Sequence, residues 1–190
     1  MPNNTQLVAL LLEKSYKEGD FLLSSGARSD FYLDAKQVTY DPDGMVLVGE
    51  MMMQLVEEFD IEAVGGLTMG ADAIVASTVF ASARTSKRVS GFVARKEPKQ
   101  YGLEKHVEGV SPQGKRVAIV DDVITSGQSA LKAVQAARAA GAHVVLVVGL
   151  VDREQGGADA IVSAGMAFRV LASISEIRQA ARLLNGGTSQ

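Results

Sequence analysis

The chain has no cysteine. That excludes disulfides and thiolate catalysis, and it makes a reducing compartment, the cytoplasm, the expected location. Histidine is scarce too: His106 and His143 are the only two. No run of His, Asp and Glu has metal-ligand spacing, so a metal caged by the protein alone is not expected. No stretch approaches the ~20 apolar residues that span a bilayer. The opening MPNNTQLVALLLEK has a short apolar run, but no basic segment before it and no small-residue cleavage site after it. It reads as an amphipathic helix and not as an export signal. Positive charge is not in excess: 19 Lys and Arg stand against 22 Asp and Glu, a net charge of -3. Extensive nucleic-acid binding is therefore disfavoured. Internal repeats and linker-like segments are also missing.

What is present is ordinary for a globular chain, with 190 residues, 47% apolar and 22% charged. One domain with a sizeable core is expected. Apolar spacing predicts a first helix over Leu7–Tyr16, ended by Gly19, then short strands Phe21–Leu23 and Phe31–Leu33 around the polar turn SSGARSD. Asp41-Pro42-Asp43-Gly44 reads as a turn that starts a helix over Met45–Phe59. From there strands alternate with helices. Strands are expected at Ala63–Leu67, Val89–Ala94, Val117–Val120, His143–Val151 and Phe168–Leu171. The intervening helices end near Ala83, Ala140 and Ala164, and a last helix covers Ile174–Leu184. This alternation predicts an α/β fold, a parallel sheet core flanked by helices. Only residues 95–114 break the pattern, being charged and bearing Gly and Pro. An irregular stretch of that length inside a compact domain is usually a functional loop.

The richest segment is Val117–Ser129, VAIVDDVITSGQS. An apolar strand runs into two adjacent acids, Asp121 and Asp122. Then Val123, Ile124, Thr125, Ser126, Gly127, Gln128 and Ser129 lead into a helix. Such a loop aims backbone N–H groups and hydroxyls at one point, where a helix dipole also attracts an anion. The acids fit a ligand that offers hydroxyls as well as phosphate, as a ribose phosphate does, or one that brings a cation. A buried strand with an acidic helix cap is the plainer alternative. Thr68–Asp72, Arg95–Gly102 and Asp152-Arg153 fall at the ends of other expected strands, so four segments converge on one sheet edge. Gly109–Lys115 imitates a nucleotide-binding P-loop, but Arg116 replaces the Ser or Thr and the segment precedes a strand, so that reading is rejected.

VAIVDDVITSGQS resembles the phosphoribosyl pyrophosphate (PRPP) motif of the type I phosphoribosyltransferases. SSGARSDFYLD, RKEPKQYG and LVDREQGG narrow the resemblance to the orotate phosphoribosyltransferase family, over about residues 21–157. The resemblance implies that the chain makes orotidine 5'-phosphate and pyrophosphate from orotate and PRPP in pyrimidine synthesis. It implies Mg²⁺, a homodimer, a small N-terminal hood over about residues 1–35 and a mobile catalytic loop over 95–114 shared between subunits. It places Arg95, Lys96, Lys99 and Tyr101 on PRPP, with Lys99 the main catalytic lysine. Asp121 and Asp122 join Lys99 in catalysis and meet the ribose hydroxyls, directly or through Mg²⁺. Val123, Ile124, Thr125, Ser126, Gly127, Gln128 and Ser129 hold the 5'-phosphate. Orotate falls to Thr125, Arg153, Arg28 and Tyr32. Three positions depart from the commoner family pattern: Tyr101 replaces a His, Ser24 a Lys, and Met69-Gly70 a Lys-bearing segment. Arg28 is the substitute cation nearest to Ser24. A phosphoribosyltransferase for another base and a PRPP-binding regulator are the alternative functions.

Overall fold

The computed structural model describes residues 4–22, 26, 28–95 and 107–186. Helix α1 (Thr5–Lys14) leads into an antiparallel hairpin of β1 (Tyr16–Leu22) and β2 (Arg28–Leu33). A short α2 (Lys36–Thr39) and the long α3 (Pro42–Glu58) follow. Asp41 starts α3 by accepting the N–H groups of Asp43 at 3.1 Å and Gly44 at 3.2 Å, with Pro42 in the first turn. This is the usual chemistry of a helix start. Next come β3 (Ala63–Leu67), α4 (Asp72–Ser82), β4 (Ser90–Ala94), β5 (Val107–Gly109) and β6 (Arg116–Ile124). The chain continues through α5 (Gln128–Ala139), β7 (His143–Asp152), α6 (Gly157–Ser163), β8 (Ala167–Ser173) and α7 (Ile174–Gly186).

Six strands form one sheet in the order β5-β4-β3-β6-β7-β8, parallel except for β5. Alternation along β6 sorts the core. Ala118 and Val120 join Val48, Met52, Ile74 and Ile177 on one face, while Val117 and Ile119 join Ala133, Val134 and Ile161 on the other. Met51, Met52 and Met53 are all buried, as core filling requires. From β3 the chain crosses through α4 outward to β4, and from β6 it crosses through α5 the opposite way to β7. The loops after β3 and β6 therefore part at the centre of the sheet. An open parallel sheet binds ligands in the crevice at such a switch point.

Three local expectations change. Gly19 does not end the first helix. It lies inside β1 with a φ of +155°, beside a register shift between Glu18 and Phe21. It is a bulge glycine, and the helix ends at Lys14 because Tyr16 pairs with Leu33. The stretch 95–114 is not wholly irregular, because Val107–Gly109 pairs antiparallel with Phe92–Ala94. β6 also continues through the acids to Ile124, held by pairing to β7 as far as Asp152.

Candidate active site

The acids sit at the carboxyl end of β6, and their surroundings differ. Asp121 is 6% exposed. Burial, and then the charge of Asp122, pushes its carboxyl up to about 7. Asp122 is only partly buried and faces Lys36 at the start of α2. Its Oδ1 accepts the N–H of Val123 at 2.9 Å, and its Oδ2 lies 3.4 Å from Lys36 Nζ. Lys36 also pairs with Asp34 Oδ1 at 2.9 Å. Its ammonium pKa is raised, first by the hydrogen bond to Asp34 and then, against burial, by the charge of Asp122. Burial alone would raise Asp34, but hydrogen bonds from Lys36 and Gln37 outweigh it and leave that carboxyl below its ordinary value.

Beyond the acids the phosphate-type loop turns at Gly127, whose φ is +76°, and α5 begins at Gln128 without a side-chain cap. Thr125, Ser126, Gln128 and Ser129 are exposed, and Val123 is partly so. Ile124 is different: its side chain is fully buried and its carbonyl accepts the Arg153 N–H at 2.9 Å, so it serves the core and the backbone. Gly157 braces the loop from below. A Cβ there would stand 2.5 Å from the Thr125 carbonyl and 2.9 Å from the Gly127 nitrogen. That close approach explains the second glycine of LVDREQGG. In the loop after β3, Thr68 Oγ1 donates to Asp72 Oδ2 at 2.8 Å. Gly70 lies directly against Asp122, since a Cβ would fall 2.5 Å from its Oδ1.

Arg153, just past β7, turns away from its sequence neighbours and toward the β1–β2 hairpin. Its guanidinium stacks 4.4 Å from the Phe31 ring centroid, and Nη2 donates to Ser29 Oγ at 3.3 Å. Asp152 instead accepts the Glu154 N–H, and Glu154 accepts the Ser175 hydroxyl. Arg153 Nε is buried without a hydrogen-bond partner. Burial lowers the guanidinium pKa, against the opposing charge of Asp30. Arg178 of α7 also stacks on this ring, 4.9 Å from its centroid, and pairs with Asp30.

Arg28 and Tyr32 are not brought to this cluster. In β2, Ser29, Phe31 and Leu33 share one face and Arg28, Asp30 and Tyr32 the other, since successive strand residues alternate. Arg28 is exposed and paired with Asp20, while Tyr32 packs on Phe21 with ring centroids 5.7 Å apart. Arg95 directly follows β4, exposed, with Nη1 3.5 Å from Glu108 Oε1. Lys96, Lys99 and Tyr101 lie outside the described residues. Sequence reading missed Ser29, Phe31, Asp34, Lys36 and Arg178. The alternation in SDFYL would have exposed the first two, and nothing local announces the rest.

An open parallel sheet with a ribose-phosphate-type loop at its switch point and a hairpin above one end is the architecture of the type I phosphoribosyltransferases. No family model matches the chain. Individual relatives do. It is 44% identical over 180 residues to the orotate phosphoribosyltransferase of Aquifex aeolicus, covering 93% of this chain and 98% of that one. The orotate phosphoribosyltransferase of Nostoc sp. is 43% identical, with 92% of this chain and 84% of that one covered. A crystal structure of the Mycobacterium tuberculosis H37Rv orotate phosphoribosyltransferase with Fe(III) dicitrate matches at TM-score 0.83 and 35% identity, covering 93% of this chain and 99% of that one. The same enzyme in complex with PRPP matches at TM-score 0.79 and 32% identity, with the same coverage. The chain belongs to the orotate phosphoribosyltransferase family.

Proposed function

We propose that this chain transfers the phosphoribosyl group of PRPP to orotate, releasing pyrophosphate and orotidine 5'-phosphate. The observation that carries the reading is Arg153. A partly buried guanidinium at the sheet edge of the acid motif, with an unpartnered Nε, suits a planar carboxylate. Orotate has that carboxylate and uracil lacks it. Exposed Thr125 stands at the same edge beside the base. Arg28 and Tyr32 join the base only if the hairpin rearranges, because they occupy its other face.

The loop from Val123 to Ser129 holds the 5'-phosphate, through backbone N–H groups and the hydroxyls of Thr125, Ser126 and Ser129. Asp122, the more open acid, takes ribose hydroxyls. Asp121, the buried neighbour, supports in its ionised form, reached above about 7, the positive charge that develops at C1 of the ribose. Cations on the departing diphosphate act more strongly as its charge grows. We assign them to Arg95, Lys96 and Lys99, with Tyr101 donating a hydroxyl hydrogen bond. Two carboxylates, one already shared with a lysine, are too few donors to enclose a metal, but they fit Mg²⁺ held largely by diphosphate oxygens and water. When bound, Mg²⁺ neutralises diphosphate charge, and Asp121 and Asp122 are the side chains that would reach it.

We further propose a homodimer in which the 95–114 loop of one subunit closes over the site of the other. Val46 and Phe80 support it, exposing 54% and 60% of their surface on α3 and α4, since apolar patches of this kind mark association surfaces. We assign the enzyme to the cytoplasm, to which a cysteine-free chain is suited.

Turnover with PRPP and Mg²⁺ should be measured with orotate, uracil and a purine base in parallel. Orotate alone should be consumed. Arg153→Ala should raise the orotate KM about ten- to a hundredfold, the loss of a charged hydrogen bond, while the PRPP KM stays nearly constant. Arg153→Lys should recover only part, because a point charge lacks the fork. Uracil turned over as well as orotate would overturn the assignment of the base.

A further inference from the structure

Resting on the PRPP reading above, we infer that Lys36 is a substrate-binding residue. It passes from Asp122 to the diphosphate of PRPP, and Asp34 positions it for that exchange.

The geometry is that of a cation held on a short tether. Lys36 opens α2, directly after the hood strand β2. Asp34 accepts both its backbone N–H, at 3.2 Å, and its ammonium, at 2.9 Å. The second ammonium contact, to Asp122 Oδ2, is longer at 3.4 Å. A lysine ammonium has three donors, and these two contacts engage two of them. The side chain keeps 42% of its surface exposed, against 19% for Asp34 and 14% for Asp122, so the ammonium remains open to solvent.

Charge argues the same way. The rim carries Asp34, Asp72, Asp121, Asp122 and Asp152, a strongly repulsive setting for a diphosphate. Gly70 touches one oxygen of Asp122 and Lys36 approaches the other. Lys36 therefore borders the crevice at the loop after β3, on the hood side of Asp122, whereas the phosphate-type loop begins beyond Asp122 in the chain. An anionic group entering on the hood side meets Lys36. As Asp122 turns to a ribose hydroxyl, the longer ion pair is released and the ammonium keeps the shorter one.

Pyrophosphate affinity by titration calorimetry, without and with Mg²⁺, tests this directly. Lys36→Met should weaken pyrophosphate binding about tenfold or more, as the loss of a charged hydrogen bond implies, and raise the PRPP KM in parallel. The orotate KM should move less than about threefold, and Lys36→Arg should restore part of the affinity. Asp34→Asn, which keeps the cation and slackens its tether, should weaken binding by a smaller factor. The decisive comparison repeats Lys36→Met in an Asp122→Asn background. A direct contact predicts that the loss persists there. A loss that vanishes means Lys36 merely neutralises Asp122, and the inference falls. It falls equally if folded Lys36→Met binds pyrophosphate like the wild type. If Lys36→Met does not fold, Lys36→Gln takes its place in the same comparisons. Wild-type protein that binds neither pyrophosphate nor PRPP would instead sink the underlying reading of the site.

Discussion

At the scale of single residues, two neighbours with the same side chain have been given different properties. Asp122 keeps a cation and a backbone N–H and stays partly open, whereas Asp121 is buried and raised to about 7. The raised value has a consequence for stability. An unfolded Asp121 ionises near the ordinary 3.8, so between that value and about 7 the folded protein holds a proton that the unfolded chain has released. Stability therefore falls as pH rises through that interval, and the deficit is complete above it. A shift of roughly three units at about 1.4 kcal/mol each sets a ceiling of roughly 4 kcal/mol. Denaturant unfolding of ligand-free protein in chelator, at about pH 5 and about pH 8, measures the slope. Asp121→Asn cannot titrate and should flatten it. Equal slopes would mean that Asp121 is ionised throughout. The acid motif was legible because its parts are contiguous in the chain. Lys36 was not, because its partner Asp122 lies 86 residues away and only the folded chain brings the two together. Arg153 was the better candidate in the sequence, and Arg28 stayed beside it as the fallback, since a string of letters does not show which face of a hairpin turns inward until strand alternation is counted.

At the scale of elements, the buried strands were the easiest to read. β3 has the expected bounds, and every one of its residues is buried. The hidden element is β5, whose three residues carry no pattern of their own and form a strand through antiparallel pairing with β4. The short α2 was hidden in the same way, with four residues and too little length for a period. Two glycines at the end of β3 separate folding from function. A Cβ on Gly66 would lie 2.1 Å from the Val120 carbonyl oxygen and 2.4 Å from the Ala71 Cβ, and the β6 backbone cannot yield without opening the sheet. Gly66→Ala should therefore destabilise the fold by about 1–3 kcal/mol, as overpacking does. A Cβ on Gly70 meets only the carboxylate of Asp122, a side chain that can swing aside by giving up its contacts with the Val123 N–H and Lys36. Gly70→Ala should keep the melting temperature within about 3 °C of the wild type while lowering turnover about tenfold or more. Thermal unfolding beside steady-state kinetics reads both. A Gly70→Ala enzyme of normal activity would show that the placement of Asp122 is not critical.

At the scale of the whole molecule, the sheet separates the parts that the proposed mechanism must reunite. The acids lie in the carboxyl-terminal half of β6 and Arg95 directly follows β4, with β3 between them, so the segment that leaves β4 starts two strands from the acid centre. Strands lie about 4.8 Å apart, which puts that start roughly 10 Å away. A loop reaching back from there has a second site within range if another copy packs on the exposed apolar face of α3 and α4. Subunit mixing decides between the two sites. One parent carries Lys99→Ala and the other carries Asp121→Asn with Asp122→Asn, so each alone is nearly inactive. If Lys99 serves the partner's site, a hybrid dimer has one site with intact acids and an intact lysine, and another with neither. Random exchange makes half the dimers hybrid, so activity should return to about a quarter of the wild-type level. If Lys99 serves its own subunit, every site in the hybrid lacks one part and activity stays at the parental level. Exchange must be verified separately, with differently tagged subunits recovered as one species. Hybrids that form and remain inactive would place the loop over its own subunit's site and remove the kinetic case for an obligate dimer.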